Sequence, residues 1–386
     1  MAPYNLSRGI SSKLIPVRDL QIHYLEAGDS ESPLILLLHG FPELSFSWRK
    51  IMVPLSSLGY HVVAPDQRGY GQTRSQNQTA SSSPVTFNDD LTPFRMLNLV
   101  HDVVALVFAL GHTSAALLVG HDFGSMVAAH TALIRPDLFA KLVLMSAPFP
   151  GTPSLPFNVS KGPRNAGVGG SYAPSADDLL ASFDPPRKHY TTYFASPNAN
   201  HDMLNANEGL HSFLRTYFHV KNADWRHNDP HPLTDASQLS RLPHYYVMPI
   251  DATMPEAVTH MASPHPTTDS ESAWLPDDEL VIYATEFGRT GFQGGLNWYR
   301  CMKDQRFMAE LSLFGGKKIG IPAMFLSGQQ DWGPFQVPGA FDKTREACPQ
   351  MKDENVVFVA GAGHWVQQER PEDVVAHLTR FLQSVA

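Results

Sequence analysis

The chain of 386 residues predicts an α/β fold: a mainly parallel sheet with helices on both faces, interrupted by an inserted, mainly helical lid. Three observations carry that expectation. Short continuous apolar runs alternate with helically spaced apolar residues through the first half. That alternation lapses near residue 150 and resumes near 319, so one sheet is built from two separated stretches. Finally, 43% of residues are hydrophobic and only 17% charged, enough apolar material for one large core and too little charge for disorder.

The elements follow in order. LILLLHG (34–40), HVVAPD (61–66), AALLVG (115–120) and KLVLMSAP (141–148) read as strands, and a run such as LILLL suits a strand covered on both faces. FRMLNLVHDVVALVFALG (94–111) has helical spacing and stops at glycine, and GSMVAAHTALI reads as a helix leaving a turn. Residues 74–90 read as a polar surface loop. From about 150 the chain becomes rich in Pro, Gly and Ser, and 220–280 is crowded with His, Pro, Thr and Asp, a long excursion of the kind used as a lid. Strand signals return in IGIPAMFLSGQQD (319–331) and NVVFVAGAGH (355–364), and RPEDVVAHLTRFLQSV (370–385) closes as an amphipathic helix. The expected organisation is core 1–149, lid 150–303 and core 304–386.

Charge and cysteine usage narrow the function classes. A formal net charge of -8 without a basic run offers no footprint for nucleic acid or an anionic membrane surface. A neutral or small apolar ligand is the natural partner. Cys301 and Cys348 stand apart, outside any metal or redox spacing, and read as free thiols in a reducing compartment. No apolar run approaches a membrane span and the N-terminus lacks a signal-peptide core, so the expectation is a soluble cytoplasmic protein, monomer or homodimer. The sequons at Asn5, Asn77 and Asn158 are discounted for the same reason.

The chemistry centres on LVGHDFGSMVAAH (118–130). Gly120 and Gly124 flank Asp122 at two residues on each side, the spacing of a sharp strand-to-helix turn that displays a nucleophile. An ordinary connection with a capping aspartate reads the same way in isolation. Three further stretches shift the balance. His39-Gly40-Phe41-Pro42 follows the first buried strand, where a second oxyanion donor belongs; Asp331 and His364 close later strands in the order nucleophile, acid, histidine. A serine attacking a saturated carbon would leave an ether that water could not easily cleave. A carboxylate leaves an ester whose carbonyl belongs to Asp122, open to water activated by His364, with the oxyanion held by the backbone N–H groups of Phe41 and Phe123. Asp331 would orient the imidazole. Asp122 therefore implies substitution at an sp3 carbon. A halide leaving group needs N–H donors, whereas an epoxide oxygen needs an acid such as a phenol. Tyr299 in GGLNWYR and Tyr190 in HYTTYFASP are the candidates, and spacing cannot separate Tyr190 from Tyr193.

HGFPELSFSWR, PDQRGYGQT, VGHDFGS, LNWYR, SGQQDW and GHWVQQERP together resemble the α/β-hydrolase-fold epoxide hydrolases of the soluble group. The resemblance implies that fold, Asp122 as nucleophile, His364 as base, Asp331 as its partner, and Tyr299 with Tyr190 as lid tyrosines. It also implies a substrate wall from Phe41, Pro42, Phe123, Trp298 and Trp365, and an epoxide opened by water to a vicinal diol without cofactor or metal, in a detoxifying role. His39, His121 and Asp66 are left as structural. Phe123 departs from the Trp that often follows the nucleophile, in epoxide hydrolases and haloalkane dehalogenases alike. Together with Phe41, where haloalkane dehalogenases often carry Asn, it lowers the dehalogenase reading. Fluoroacetate dehalogenases tend to place Arg there, to bind a carboxylate, which Phe123 cannot do. A non-catalytic receptor on this fold would be favoured by a broken triad, and all three members are present.

Overall fold

The computed structural model describes residues 4, 6–76, 84–153, 176–262 and 273–384; Asn5, Asn77 and Asn158, and most of the Pro/Gly/Ser-rich stretch after 150, lie outside them. In chain order the strands are β1 (Ser11–Val17), β2 (Leu20–Ala27), β3 (Leu34–Leu38), β4 (His61–Pro65), β5 (Arg74–Ser75), β6 (Ala115–His121), β7 (Leu142–Met145), β8 (Arg187–His189), β9 (Val247–Pro249), β10 (Ala323–Gly328) and β11 (Val356–Val359). The main sheet runs β1-β2-β4-β3-β6-β7-β10-β11, with β5 pairing to β2. From β4 to β11 every pairing is parallel, and β1, β2 and β5 join antiparallel. All five residues of β3 are fully buried, as its continuous apolar run requires.

The six predicted strands are present; β6 runs one residue further than expected and the other five are shorter, with local causes for the largest truncations. Ser146 takes φ 65° just after β7, ending the KLVLMSAP run. Pro322 lacks the N–H that would extend β10 backwards. In NVVFVAGAGH, Gly361 turns at φ 67°, so β11 stops at Val359 and the rest becomes a loop carrying His364. The expected helix over 94–111 is a 3-10 turn, Thr92–Phe94, then an α-helix, Met96–Ala109, separated by the extended Arg95. The final helix spans Pro371–Gln383 with proline at its first position, where no N–H is needed. Sequence patterning did not announce β1 and β2, and it placed Arg74 and Ser75 in a loop although they form β5.

Between β7 and β10 the chain leaves the sheet. This excursion is mainly helical, including Tyr190–Phe194, Leu210–His219, Met254–Ala262, Asp277–Thr290 and Gln293–Lys303, with β8 and β9 paired antiparallel as a small addition. Among the described residues no helix is long and apolar enough to cross a membrane. Cys301 and Cys348 are buried and unpaired.

Candidate active site

The strand order reverses between β3 and β6: the chain passes from β3 to β4 on one side and returns to β6 on the other. Open α/β sheets form a crevice beyond the strand C-termini at such a point. Phe41 follows β3 and Asp122 follows β6, so both border that crevice.

Asp122 sits between β6 and the helix Phe123–Ile134 with φ 52° and ψ -124°, a conformation that costs a side-chain-bearing residue roughly 1–3 kcal/mol. Crowding explains the flanking glycines. A Cβ at Gly120 would lie 2.2 Å from the Gly124 carbonyl oxygen, and one at Gly124 would lie 2.3 Å from that of Leu38. The turn thus holds the carboxylate away from the strand axis and over the crevice.

The two carboxylate oxygens have different surroundings. Oδ1 accepts the Phe41 N–H at 2.9 Å. Oδ2 lies 3.4 Å from His364 Nε2, a buried nitrogen with no hydrogen-bond partner among the described residues. His364 Nδ1 donates to Asp331 Oδ1 at 3.0 Å, and Asp331 is held by the Ser327 hydroxyl at 2.9 Å and the Gly333 N–H at 2.7 Å. With Nδ1 committed to Asp331, Nε2 is the ring nitrogen turned toward Asp122. Burial opposes ionisation of Asp122, yet the neighbouring His364, Lys221 and His121 outweigh it and hold the carboxyl well below the usual range. Burial likewise opposes ionisation of Asp331, and His364 reverses it. No hydrogen bond links the Phe123 N–H to the carboxylate, so of the two expected oxyanion donors Phe41 alone is engaged in this resting arrangement.

Two phenols from the inserted helices lie within range of the Asp122 charge. Tyr299, in the helix Gln293–Lys303, packs edge-on against Phe41 and Phe123 at 5.6 and 5.1 Å between ring centroids. Tyr190 opens the helix Tyr190–Phe194, with its ring 6.0 Å from that of Tyr299. Tyr193 donates its hydroxyl to Asp202 at 3.1 Å, so the ambiguity of spacing resolves toward Tyr190 as the phenol facing the site. Burial, then the Asp122 charge, pushes both Tyr190 and Tyr299 above the ordinary phenol value, leaving them protonated donors at neutral pH.

The expected substrate wall needs correction at Trp365. Its ring is fully buried against His364 (4.7 Å) and Phe218 (4.5 Å), and its indole N–H donates to the Phe218 carbonyl at 2.9 Å. It backs the imidazole instead of lining a pocket, because its indole N–H is tied to the Phe218 carbonyl and its ring is packed between Phe218 and His364. Trp298 donates its indole to the Arg68 carbonyl at 3.1 Å and, with Phe123, borders an apolar cavity of about 530 Å³ that also touches Met126, Met302 and Phe307. Phe41 and Pro42 are buried beside the carboxylate, joined by a cis peptide bond.

Several groups at the site had no sequence signal. Lys221 is buried, its ammonium 5.1–5.7 Å from the ring centroids of Tyr217, Tyr245, Tyr246 and Trp365. Such rings stabilise a cation in place of water. Burial lowers its pKa, while Asp122, Asp331 and Glu43 pull it back. His121 bonds Glu43 at 2.6 Å and the His364 carbonyl at 2.7 Å, a bracing role consistent with its structural reading. His39 accepts the Gln67 N–H, and Asp66 gathers His23, Ser45 and Gln72, so these too brace turns.

Comparison with known proteins agrees with this geometry. The family described as having the alpha/beta hydrolase fold matches residues 33–371. The chain is 30% identical over 378 residues to epoxide hydrolase A of Mycobacterium tuberculosis, covering 96% of this chain and 97% of the relative. It is 30% identical over 375 residues to epoxide hydrolase 3 of Siraitia grosvenorii, covering 95% and 96%. Among solved structures it is similar to potato (Solanum tuberosum) epoxide hydrolase I, with a TM-score of 0.72 and 29% identity over 97% of this chain and 99% of that one. Matching over nearly the whole of both chains, in sequence and in structure, places this chain in the α/β-hydrolase family as one of its epoxide hydrolases.

Proposed function

We propose that the chain hydrolyses an epoxide in two half-reactions through an ester on Asp122. Asp122 Oδ2 attacks a ring carbon, the ring C–O bond breaks, and the departing oxygen takes the proton of Tyr299 or Tyr190. His364 Nε2 then removes a proton from water, and the hydroxide adds to Asp122 Cγ. Charge collects on Oδ1, where the Phe41 N–H already points and where the Phe123 N–H is to join it. Collapse breaks the Cγ–Oδ2 bond. The diol leaves with Oδ2, protonated by His364, and the acid proton left on Asp122 returns to the tyrosinate.

The observation that carries this reading is the division of labour on one carboxylate: Oδ1 is taken by a backbone donor while Oδ2 faces the imidazole nitrogen, with both phenols near enough for the Asp122 charge to keep them protonated. Phenols suit a leaving alkoxide. A leaving halide is served less well, since Trp298 and Trp365 commit their indole N–H groups to carbonyls. We take the lid to be 150–303, and the cavity bordered by Phe123 and Trp298 suits the apolar arm of a substrate. The buried free thiols support a reducing, cytoplasmic compartment, and a reactive epoxide as substrate suits a detoxifying role.

The test is a single turnover with enzyme in excess over styrene oxide, in 18O-labelled water. The expected diol is unlabelled, because its new oxygen comes from Asp122. A labelled diol means direct attack by water and removes Asp122 as nucleophile.

A further inference from the structure

The loop that carries His364 has left β11 four residues earlier and has no strand to fix it. Its three consecutive N–H groups are nevertheless all bound. Glu369 Oε2 accepts the Gly363 N–H at 2.9 Å, Glu369 Oε1 accepts the Trp365 N–H at 2.9 Å, and between them the His364 N–H donates to the Lys221 carbonyl at 2.8 Å. Glu369 Oε2 also accepts the Ala223 N–H at 2.9 Å, so one carboxylate spans the core loop and the lid segment that follows Lys221. On the other side, the His364 carbonyl accepts from His121 Nε2 at 2.7 Å and from the Ser146 hydroxyl at 3.2 Å.

We infer that Glu369 is a positioning residue for the hydrolytic half-reaction, clamping the two residues that flank His364 and tying them to Ala223 of the lid. The inference rests on the roles proposed above for Asp122 and His364. Burial pushes Glu369 up to about 7, and the three N–H donors that converge on its two oxygens favour the carboxylate form that the clamp uses. A carboxamide supplies one oxygen, and its NH2 group then faces an N–H across the clamp. Loosening it shifts an imidazole whose useful position is bounded by Asp331 at 3.0 Å and Asp122 at 3.4 Å. Misplacement of a reacting group by about 1 Å costs on the order of 100-fold in rate. Alkylation of Asp122 does not use His364 as a base, so it is spared.

The experiment compares wild type, Glu369→Gln and His364→Ala. Styrene oxide consumption is followed in a single turnover, kcat at steady state, and the ester by intact-protein mass. For Glu369→Gln the expected result is alkylation within about 2-fold of wild type, kcat lowered by roughly 10-fold or more, and accumulated ester. If both half-reactions fall together, or kcat is unchanged, the clamp is refuted. Should the glutamine variant not fold, the same split is read in Glu369→Asp, which keeps the charge but falls short of the donors. Ester accumulation in His364→Ala but not in the Glu369 variant refutes the clamp alone. Its absence in His364→Ala instead overturns the assignment of the base.

Discussion

At Tyr190 and Tyr299, burial and the charge of Asp122 act in the same direction, both favouring the protonated phenol. At Asp122 they act in opposition, and the cationic and imidazole neighbours decide for the carboxylate. One environment therefore keeps an acid protonated and a nucleophile ionised across a broad range. The sign of each shift sets the limits. Raised phenols stay protonated above pH 10, and a lowered carboxyl stays ionised below pH 4, so the alkylation rate should be flat between those values. Stopped-flow consumption of styrene oxide measures it, and an alkaline limb near pH 8 would contradict the phenol assignment. Removing the acids one at a time is the sharper test. Tyr299→Phe should slow alkylation by about 10-fold because Tyr190 remains, and the double replacement by on the order of 1,000-fold or more, within the range that acid catalysis supplies. An active double variant would mean that another donor protonates the ring oxygen.

The helix Gln293–Lys303 shows how an element sets the position of such an acid. Gly294 meets Gly69 backbone to backbone: a Cβ added at Gly294 would sit 2.1 Å from the Gly69 carbonyl oxygen and 2.6 Å from its Cα. Neither chain can yield cheaply there, because the indole of Trp298 on the same helix is bonded to the neighbouring Arg68 carbonyl. Gly294→Ala should therefore cost about 1–3 kcal/mol of stability, the usual penalty of overpacking, and lower alkylation by lifting Tyr299 from the carboxylate. Gly288, in the preceding helix Asp277–Thr290, is the control. A Cβ there makes only an ordinary contact of 3.5 Å with Leu210, so Gly288→Ala should be neutral or stabilise by up to ~1 kcal/mol through helix propensity. Urea unfolding of the two variants distinguishes them, and equal stabilities would show that the close approach relaxes without cost.

The whole site is assembled at a single reversal of strand order from stretches as distant as Phe41, Asp122, Tyr190, Tyr299, Asp331 and His364, and its legibility in the sequence followed from how local each signal was. Asp122 was legible because its glycines answer crowding from the adjacent strand and helix, which sequence spacing reports. β3 was legible because burial on both faces leaves a continuous apolar run, whereas β1 is largely exposed at the sheet edge and keeps no such pattern. Tyr190 could not be separated from Tyr193 by periodicity, since the deciding bond goes to Asp202. Lys221 and Glu369 were invisible because the partners that set them at the site, Trp365 for Lys221 and Ala223 for Glu369, come from elements brought together only by folding. The same long-range burial gives the protein a measurable acid sensitivity. His130, in the helix that begins at Phe123, is packed edge-on against Phe149 and donates Nδ1–H to the Met126 carbonyl at 2.7 Å, and burial pushes it down to about 4. In the unfolded chain an imidazole titrates near 6.5. As pH falls below that value the unfolded chain takes up a proton that folded His130 refuses until about 4. Its contribution is thus whole above pH 6.5 and lost toward pH 4, a change on the order of 3 kcal/mol. His130→Leu keeps an apolar side chain against Phe149 and has nothing to titrate. Comparing urea unfolding of the two proteins at pH 7.5 and 4.5 cancels every other titrating group, so the variant should gain about 2–3 kcal/mol on wild type at the lower pH; a difference that stays constant with pH would mean that His130 is protonated in the folded core.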